Sequence, residues 1–563
     1  MAYNGEPGFE RSVARIMGAP WPPPDEQVAP LDSGMVADEA MLAALSVALG
    51  ASTVPRVTAA EAALLDRAPD VPGELITATL DRIEEGGDPL GDAFCTLRPA
   101  ARRREDGADY TPPAIVRAML SWAEGVGDPD RVIDPGAGSG RFLLEAGRRF
   151  PAAALVAVER DPLAALTVRA NLAVAGMAGR AEVRVEDFLT SNLRGADGHT
   201  LFVGNPPYVR HHLIPPEWKE WLKREAAAME LQASALAGLH VYFFLAIARR
   251  AKAGDYGALI TASEWLDVNY GGLVRDLFLH RLGGQSIHVI EPKAEPFPGT
   301  AATGAVTSFT VNGKPKSARF ARVTRLSALG DLSGGRRVSR ERLTAEKRWS
   351  HFTRTPTAAP EGYVELGDLC RVHRGQVTGA NHVWIAGAHS ADLPDDVLFP
   401  TVTRAKELIQ SGPVLSDPDK LKRVIDLPSD LSAFRGAEYR AVKRFLERAE
   451  KMGAKESYTA KHRRFWWSLS LRAPAPILAT YMARREPAFV LNGADARHLN
   501  IAHGIYPREP MEQPILTALA AHLRNTSSVQ GGRVYAGGLT KFEPREMERI
   551  PVPAPETLVE MAA

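Results

Sequence analysis

Cysteine is scarce in this chain of 563 residues, which contains only Cys95 and Cys370. Two cysteines argue against a disulfide framework or a cysteine-based zinc site, and they fit a reducing cytoplasm. Long apolar runs are also missing, because the most apolar stretch, residues 241–248, is followed directly by two arginines. Residues 1–30 lack the apolar region of a signal peptide. The sequence therefore predicts a cytoplasmic protein with no membrane partner and no metal site.

An excess of charge of either sign is absent as well. The chain has 68 Lys and Arg against 67 Asp and Glu, a net charge of +1. It is not a polycation, so any nucleic-acid affinity must come from positive charge that is concentrated locally. The spaced carboxylates and nearby lysine of a restriction-type nuclease are not found in the first hundred residues.

The first 313 residues divide into two predicted regions. Residues 1–105 are predicted to be a helical N-terminal extension, because 38–49 and 59–65 are rich in Ala and Leu at helical spacing. In residues 106–313, apolar strand-like runs alternate with helical segments. That alternation predicts a doubly wound α/β domain with a mostly parallel sheet.

The remaining chain lacks this alternation. Residues 314–360 are polar and basic without clear periodicity, and they are predicted to connect two domains. Residues 361–563 contain scattered aromatics and many Pro and Gly, which indicates a separate mixed α+β domain.

A strand, a glycine-rich turn and a helix start follow one another at residues 132–140. Glycine lets a ligand lie against bare backbone, and the helix start offers unpaired N–H groups. Dinucleotide-binding proteins share such turns, and a turn without a ligand is the plainer alternative. Here the spacing is G-x-G-x-G, and an acid stands two residues before the first glycine, which suits the ammonium group of S-adenosylmethionine. We predict that four residues of this loop bind that cofactor: Asp134, Gly136, Gly138 and Gly140.

Two further acids end successive strands of the predicted sheet. Glu159 can accept both hydroxyls of a ribose, as the acid of dinucleotide-binding domains does. Asp187 can accept the amino group of the cofactor adenine, and Phe188 can cover its ring. Each is typical of a solvated strand end when taken alone. In succession they favour a nucleoside site.

The strongest signal is the tetrapeptide Asn205-Pro206-Pro207-Tyr208, which follows an apolar strand. Adenine N6 is a poor nucleophile because its lone pair is delocalised into the ring. The Asn205 side-chain oxygen and the Pro206 carbonyl could accept its two hydrogens and stabilise the charge that develops in the transition state. The prolines would hold that carbonyl rigidly, and the Tyr208 ring offers a stacking face for a base flipped out of the duplex. A proline-stiffened turn is the alternative.

With these motifs in place, residues 108–311 resemble the gamma-class DNA N6-adenine methyltransferases of restriction–modification systems, of the TaqI type. The resemblance implies a class I S-adenosylmethionine-dependent methyltransferase fold and double-stranded DNA as substrate. It also implies that Tyr110, Thr111 and Pro112 help to hold the methionine moiety of the cofactor. One departure is Asp-Pro-Gly-Ala at residues 134–137, where the family often has Asp/Glu-Pro-Ala.

The family also uses a phenylalanine far downstream that packs against the flipped adenine. Phe297 stands at the corresponding place, within Glu-Pro-Phe-Pro-Gly-Thr at residues 295–300. A core phenylalanine in a loop is the alternative interpretation.

Positive charge is concentrated between residues 440 and 472, where ten Lys and Arg face three Glu. Aromatics are interleaved with these charges, as expected of a surface that contacts phosphates, although charge runs are often only solvated faces. We predict DNA contacts from Lys461, Arg463 and Arg464. The family places its target-recognition domain at the C-terminus, and stretches at 374–381, 495–507 and 538–545 resemble it.

Other functions are open at this stage. Methyltransferases that act on a protein glutamine also use Asn-Pro-Pro-Tyr, but they are much shorter and lack a large C-terminal domain. A methyltransferase of RNA adenine is a related possibility, as is a DNA-binding module with an inactive fold, although no motif here is broken. A fusion with a nuclease is disfavoured by the missing nuclease motif, so any cognate restriction endonuclease is expected to be a separate protein.

Overall fold

The computed structural model describes residues 35–66, 68–98, 111–193, 195–297, 302–353, 362–483, 486–526, 533–535 and 539–562. The chain divides into two compact units, Met1–Thr355 and Pro356–Ala563. None of the helices within these ranges combines the length and apolar character needed to cross a bilayer.

The described N-terminal region is helical, with α1 (Glu39–Ala48), α2 (Ala59–Ala63), α3 (Gly73–Glu84) and α4 (Pro89–Leu97). The Asp38 side chain caps α1 by accepting from the backbone of Met41 at 2.8 Å. Thr58 and Glu61 form a capping box at the start of α2. The helices predicted at 38–49 and 59–65 are confirmed, the second ending slightly earlier than predicted.

The centre of the first unit is a sheet of nine strands within the described residues, ordered β3-β2-β1-β4-β5-β7-β6-β8-β9. The strands are β1 (Arg131–Pro135), β2 (Ala154–Glu159), β3 (Ala181–Val185), β4 (Thr200–Gly204), β5 (Tyr256–Ala262), β6 (Gly284–Ile290), β7 (Gly304–Thr310), β8 (Ser317–Val323) and β9 (Arg336–Ser339). The first five in this order run parallel, and β7 is antiparallel to both of its neighbours. The predicted doubly wound, mostly parallel fold is confirmed.

Helices cover both faces of this sheet. They are α5 (Pro113–Val126), α6 (Arg141–Arg149), α7 (Pro162–Val174), α8 (Pro216–Ala227), α9 (Leu239–Arg250), α10 (Gly272–His280) and α11 (Arg340–Ala345). Alternate residues of one strand enter different cores, as the pleat requires. In β1, Ile133 packs in the core that contains α9, whereas Val132 packs in the core that contains α5 and α6.

Helix α7 is buried on both faces. One face, with Ala165 and Val168, packs in a core of the sheet, and the opposite face, with Leu163 and Leu166, packs against the N-terminal helices. A helix that is apolar all round needs cover on every side. The N-terminal helices α1 to α4 therefore form an additional layer of the catalytic unit.

The prediction that residues 314–360 are a connection is wrong for most of their length. Strands β8 and β9 lie in this segment and extend the sheet, with β8 parallel to β6. Trp349 is fully buried, and its ring meets those of Phe278 and Phe320 edge to face. The segment resembles a connection in sequence because β9 is the edge strand and β8 lies beside it, and partly exposed strands near an edge are polar.

The second unit is a mixed α+β domain, as predicted. Its main sheet has five strands in the described range, ordered β11-β19-β15-β17-β13, with smaller sheets β14-β12-β18, β16-β21-β20 and β10-β22. The strands are β10 (Tyr363–Glu365), β11 (Cys370–Arg374), β12 (Leu398–Val402), β13 (Val414–Leu415), β14 (Lys422–Ile425), β15 (Ile477–Thr480), β16 (Met482–Ala483), β17 (Phe489–Asn492), β18 (Arg497–His498), β19 (Ala502–Pro507), β20 (Arg533–Tyr535), β21 (Leu539–Lys541) and β22 (Pro551–Pro553). The helices are α12 (Leu366–Leu369), α13 (Asn381–Trp384), α14 (Ala405–Gln410), α15 (Gly436–Lys451), α16 (Tyr458–Lys461), α17 (Gln513–Thr526), α18 (Pro544–Met547) and α19 (Pro555–Ala562).

Candidate active site

A cavity of about 730 Å³ opens in the first unit, bordered by residues that follow strands β1 to β4. Ligands of open α/β sheets bind at the carboxyl ends of the strands, because the loops that follow them converge there. Eight of the predicted site residues line this cavity: Thr111, Gly136, Gly138, Glu159, Asp187, Phe188, Asn205 and Pro207. The three separate motifs of the sequence thus meet at one place.

The glycine-rich loop passes over the end of β2. The backbone N–H of Gly136 donates to the carbonyl of Val158 at 2.8 Å, and that of Gly138 donates to Glu159 Oε2 at 2.9 Å. Both glycines have positive φ, +102° and +55°, which an L side chain rarely adopts. Gly136 faces the ring of Pro207, since a β-carbon on it would lie 3.7 Å from Pro207 Cδ. The cofactor loop and the tetrapeptide are therefore neighbours.

Gly140 is placed differently from the other glycines of the loop. It does not line the cavity, and a β-carbon on it would come within 2.5 Å of Val168 Cγ2 on helix α7. Its φ is +90°, and it is the residue from which α6 starts. Gly140 thus allows the close approach of the loop to α7, and its contact with the cofactor stays a prediction.

Asp134 is fully buried behind the loop. Neither of its carboxylate oxygens has a hydrogen-bond partner among the described residues, and a β-carbon on Gly204 would lie 2.4 Å from Oδ1. Burial, and secondarily the charge of Glu159, raises the pKa of this carboxyl well above its usual range. A buried acid without a partner fits a site that receives a positively charged ligand.

The two strand-end acids already have partners. Glu159 accepts from the backbone of Gly138 and, through Oε1, from that of Asp161 at 2.9 Å. Asp187 Oδ1 accepts from the backbone of Leu189 at 2.9 Å, while Oδ2 lies 4.0 Å from Arg160 Nη1.

Phe188 is 2% exposed and is fixed from two sides. Its ring stacks on that of Phe243, with centroids 5.6 Å apart and planes 15° apart, and the guanidinium of Arg250 lies 4.9 Å from its centroid. Phe188 and Phe243 both line the cavity. The pair provides an apolar, aromatic wall of the kind that a nucleoside base needs. The chemistry of these groups fits S-adenosylmethionine: carboxylates for its ribose and cationic groups, and aromatic rings for its adenine.

The tetrapeptide follows β4 directly. Asn205 and Pro207 line the cavity, whereas Pro206 is buried. Tyr208 and Phe297 are not among the lining residues; their rings meet edge to face, with centroids 4.9 Å apart. The structure therefore places Phe297 against Tyr208, in a core where it is 2% exposed.

Of the three residues predicted before the cofactor loop, Thr111 lines the cavity. Pro112 immediately precedes α5 as its cap residue. Tyr110 lies outside the described residues.

Several lining residues were not predicted. Phe94 and Arg98 come from α4 and the residue after it, and Leu213, Ile214 and Trp218 follow the tetrapeptide. Leu213 is 53% exposed. No catalytic motif marks these residues in the sequence.

In the second unit, the basic stretch includes helix α15. Its apolar side, with Val442 and Phe445, is buried, whereas five cations on it are exposed: Arg440, Lys443, Arg444, Arg448 and Lys451. The periodicity explains the charge run as the outer face of an amphipathic helix.

The three predicted DNA-contacting residues differ from one another. Arg464 is exposed, and Lys461 is exposed and paired with Glu456 at 2.9 Å. Arg463 is half-buried and donates to the carbonyls of Val377 and Thr378 at 2.7 and 3.1 Å. Arg463 thus holds the 374–381 stretch against helix α16, which its position in the charge run did not indicate.

Comparisons with known proteins agree with this arrangement. Residues 179–291 match the family model of the Eco57I restriction-modification methylase, and residues 353–563 match that of the C-terminal domain of the type II methyltransferase M.Eco57I. The chain is 52% identical over 471 residues to the type II methyltransferase M.XamI of Xanthomonas campestris pv. amaranthicola, covering 84% of this chain and 88% of that protein.

Two further proteins are similar to this chain, one in sequence and one in fold. Over 107 residues, 18% of this chain and 42% of the relative, the chain is 32% identical to the tRNA1(Val) (adenine(37)-N6)-methyltransferase of Porphyromonas gingivalis. The type IIG restriction endonuclease BpuSI has a similar fold, with a TM-score of 0.50 at 15% identity, over 99% of this chain and 71% of that one.

Proposed function

Because this chain belongs to the type II methyltransferases of restriction–modification systems, we propose that it methylates N6 of an adenine flipped out of double-stranded DNA. Enzymes of this class use S-adenosylmethionine, which supplies a methyl group on a positively charged sulfur. The observation that carries the proposal is that Asn205 and Pro207 line the same cavity as Glu159 and Asp187. The proposed acceptor and cofactor sites would thus share one cavity.

The residues that line the cavity, and Asp134 behind it, would bind different parts of the cofactor. Gly136 and Gly138 present backbone, Glu159 would bind the ribose, and Asp187 with Phe188 would bind the adenine of the cofactor. Asp134 would supply negative charge behind the loop. This donor set suits a nucleoside joined to a cationic chain.

The tetrapeptide would activate the target amino group for methyl transfer. The Asn205 side-chain oxygen and the Pro206 carbonyl would accept the hydrogens of N6, drawing the amino group out of conjugation and stabilising the charge that forms on it. Pro206 and Pro207 restrict the backbone, so the acceptors are held before the base arrives. Tyr208, braced by Phe297, would stack on the flipped base.

Adenine rather than another substrate is supported by two observations. A relative over the catalytic part is named for N6 methylation of a tRNA adenine, and the tetrapeptide suits an exocyclic amino group. DNA rather than tRNA is supported by the second unit, which matches the C-terminal domain of a type II methyltransferase. Its exposed cations, Arg464 and Lys461 among them, would contact phosphates. We also propose that any cognate restriction endonuclease is a separate protein and that the methyltransferase is located in the cytoplasm.

The test is methyl transfer from labelled S-adenosylmethionine to unmethylated genomic DNA, with nucleoside analysis and mapping of the modified bases. We expect N6-methyladenine in one short sequence motif. Label in tRNA or protein but not in DNA would overturn the proposed substrate.

A further inference from the structure

We propose that the N-terminal helical segment is part of the cofactor site. Asp88 is a positioning residue that holds the glycine-rich loop in its binding conformation, and Phe94 and Arg98 form one wall of the cavity. The inference rests on the proposed assignment of this cavity to S-adenosylmethionine. It gives a role to a region in which no catalytic motif is found.

Asp88 is a buried carboxylate at the start of α4 and bonds to the loop directly. Its Oδ2 accepts from the hydroxyl of Ser139 and from Arg141 Nε at 2.7 Å. Its Oδ1 accepts from Asn171 Nδ2 at 3.2 Å and from the backbone of Gly91 at 3.0 Å. Asp88 thus joins α4, the loop, α6 and α7 at one point.

The side-chain hydroxyl and the backbone carbonyl of Ser139 are both held by hydrogen bonds. Its hydroxyl bonds to Asp88, and its carbonyl accepts from Asn171 Nδ2 at 2.9 Å. It stands between Gly138 and Gly140, both of which have positive φ. Glycines leave a chain many conformations, so a loop rich in them binds a ligand well only if other contacts remove that freedom in advance. Glu159 fixes the loop at Gly138, and Asp88 fixes it at the next residue, Ser139.

Removal of the Asp88 charge leaves its neighbours with other partners. Arg141 also pairs with Asp92, whose Oδ1 lies 3.1 Å from Nη2, and it reaches the Thr111 carbonyl at 3.4 Å. Asp88→Asn therefore changes the grip on Ser139 without leaving Arg141 as a lone buried charge. This makes it a variant from which a folded protein is expected.

The wall residues lie further along α4 and directly after its end. Phe94 is 4% exposed, and the guanidinium of Arg98 lies 4.8 Å from its ring centroid. Arg98 also pairs with Asp161, whose backbone N–H bonds to Glu159. Phe94, Arg98 and Asp161 all line the cavity. The segment therefore touches the cavity next to the acid assigned to the ribose.

The experiment measures binding of S-adenosylhomocysteine by calorimetry, alongside melting temperatures, for Asp88→Asn, Ser139→Ala, their double variant and Phe94→Ala. The matched control is Glu61→Gln. Glu61 is likewise a fully buried carboxylate that ties the N-terminal segment to α7, through Arg169 at 2.6 Å, but it does not line the cavity.

We expect Asp88→Asn, Ser139→Ala and Phe94→Ala each to weaken binding about tenfold, with the Asp88–Ser139 double variant no weaker than Asp88→Asn because the two act through one bond. In steady-state kinetics, KM for the cofactor should rise about tenfold while kcat stays within about twofold. Glu61→Gln should lower the melting temperature and leave the affinity unchanged.

Unchanged affinity for S-adenosylhomocysteine in both Asp88→Asn and Ser139→Ala would show that Asp88 is purely structural. Unchanged affinity in Phe94→Ala would show that Phe94 does not contribute to the cofactor site. Ser139→Ala decides the point even if Asp88→Asn does not fold, since it removes only a hydroxyl. Failure of the unaltered protein to bind S-adenosylhomocysteine would instead overturn the proposed function.

Discussion

The ring of Phe297 meets the ring of Tyr208 edge to face, 4.9 Å between centroids, while the Tyr208 hydroxyl donates to the Ile260 carbonyl at 3.1 Å. The tyrosine of the tetrapeptide is thus held at its edge by one residue and at its tip by strand β5. Phe297 itself does not line the cavity. Its expected influence on a flipped base is therefore exerted through the orientation of Tyr208.

Replacement of Phe297 by Leu should release the Tyr208 ring while keeping an apolar side chain in the core. We expect kcat to fall about tenfold, because a small misplacement of a positioning group has a large kinetic cost. Affinity for S-adenosylhomocysteine should not change. Phe309→Leu, at a fully buried phenylalanine of β7, is the control, and equal kcat values for the two variants would contradict a specific role of Phe297.

Asn205→Ala removes one of the two proposed acceptors for the hydrogens of N6. By analogy with the loss of an oxyanion-hole donor, we expect methyl transfer to fall at least about 10²- to 10³-fold. Cofactor affinity, measured by calorimetry, should be largely intact. Full transfer activity combined with lost affinity would show that Asn205 serves the cofactor instead.

Asp134→Asn should stabilise the protein in the absence of cofactor. The folded-state pKa of Asp134 is raised by burial above its ordinary 3.8. In the folded state the group therefore binds a proton that the unfolded chain has released, and stability falls as pH rises above that ordinary value. The melting temperature of the Asn variant should exceed that of the unaltered protein by several degrees at neutral pH, an effect of about 1–3 kcal/mol.

Melting temperatures of Asp134→Asn and the unaltered protein, measured across pH, test this expectation. The advantage of Asp134→Asn should shrink as the pH is lowered toward 4, and its affinity for S-adenosylhomocysteine should be weaker at neutral pH. A variant that is less stable at every pH would show that the carboxylate has a structural partner.

Arg464→Glu should weaken DNA binding and reduce its salt dependence, because each lost phosphate contact lowers the slope of log K against log salt by about 0.9. Arg463→Glu should instead lower the melting temperature, since its side chain holds the carbonyls of Val377 and Thr378. Filter binding across a salt series, with melting curves for both variants, separates the two. A salt slope unaltered by Arg464→Glu would remove this residue from the interface.

Glu61→Ala should strongly destabilise the first unit. Arg169 and Glu61 are both fully buried, and Arg169 also donates to the carbonyls of Val54 and Val183. Removing the carboxylate leaves a buried charge uncompensated, at a cost of about 3–5 kcal/mol. Denaturant unfolding measures the loss, and Glu61→Gln should recover much of it; a loss under about 1 kcal/mol would contradict the expectation.

The parts of the site that could be predicted from sequence are those where chemistry and secondary structure coincide. Glu159 and Asp187 end successive parallel strands, so their convergence follows from the topology of the sheet. Asn205 and Pro207 follow a third strand, and the structure brings them to the same cavity. Their individual roles remain predictions.

The parts that could not be predicted depend on packing between distant segments. Gly140 is needed because Val168, on another helix, lies against it. Asp88 is about fifty residues from Ser139 in the chain, and an aspartate before a proline indicates a helix start and nothing more. Likewise, β8 and β9 are polar because they are the last two strands at one end of the sheet and are partly exposed, which a single sequence does not reveal.

The burial of helix α7 on both faces has an evolutionary consequence. A chain that began at Thr111, where the recognisable motifs begin, would leave the outer face of α7, with Leu163, Leu166, Ala170 and Val174, stripped of its cover. We expect such a fragment to aggregate, because this apolar face would be exposed to water. A catalytic domain that keeps its fold after fusion or transfer between genomes would therefore carry the helices from Glu39 onward.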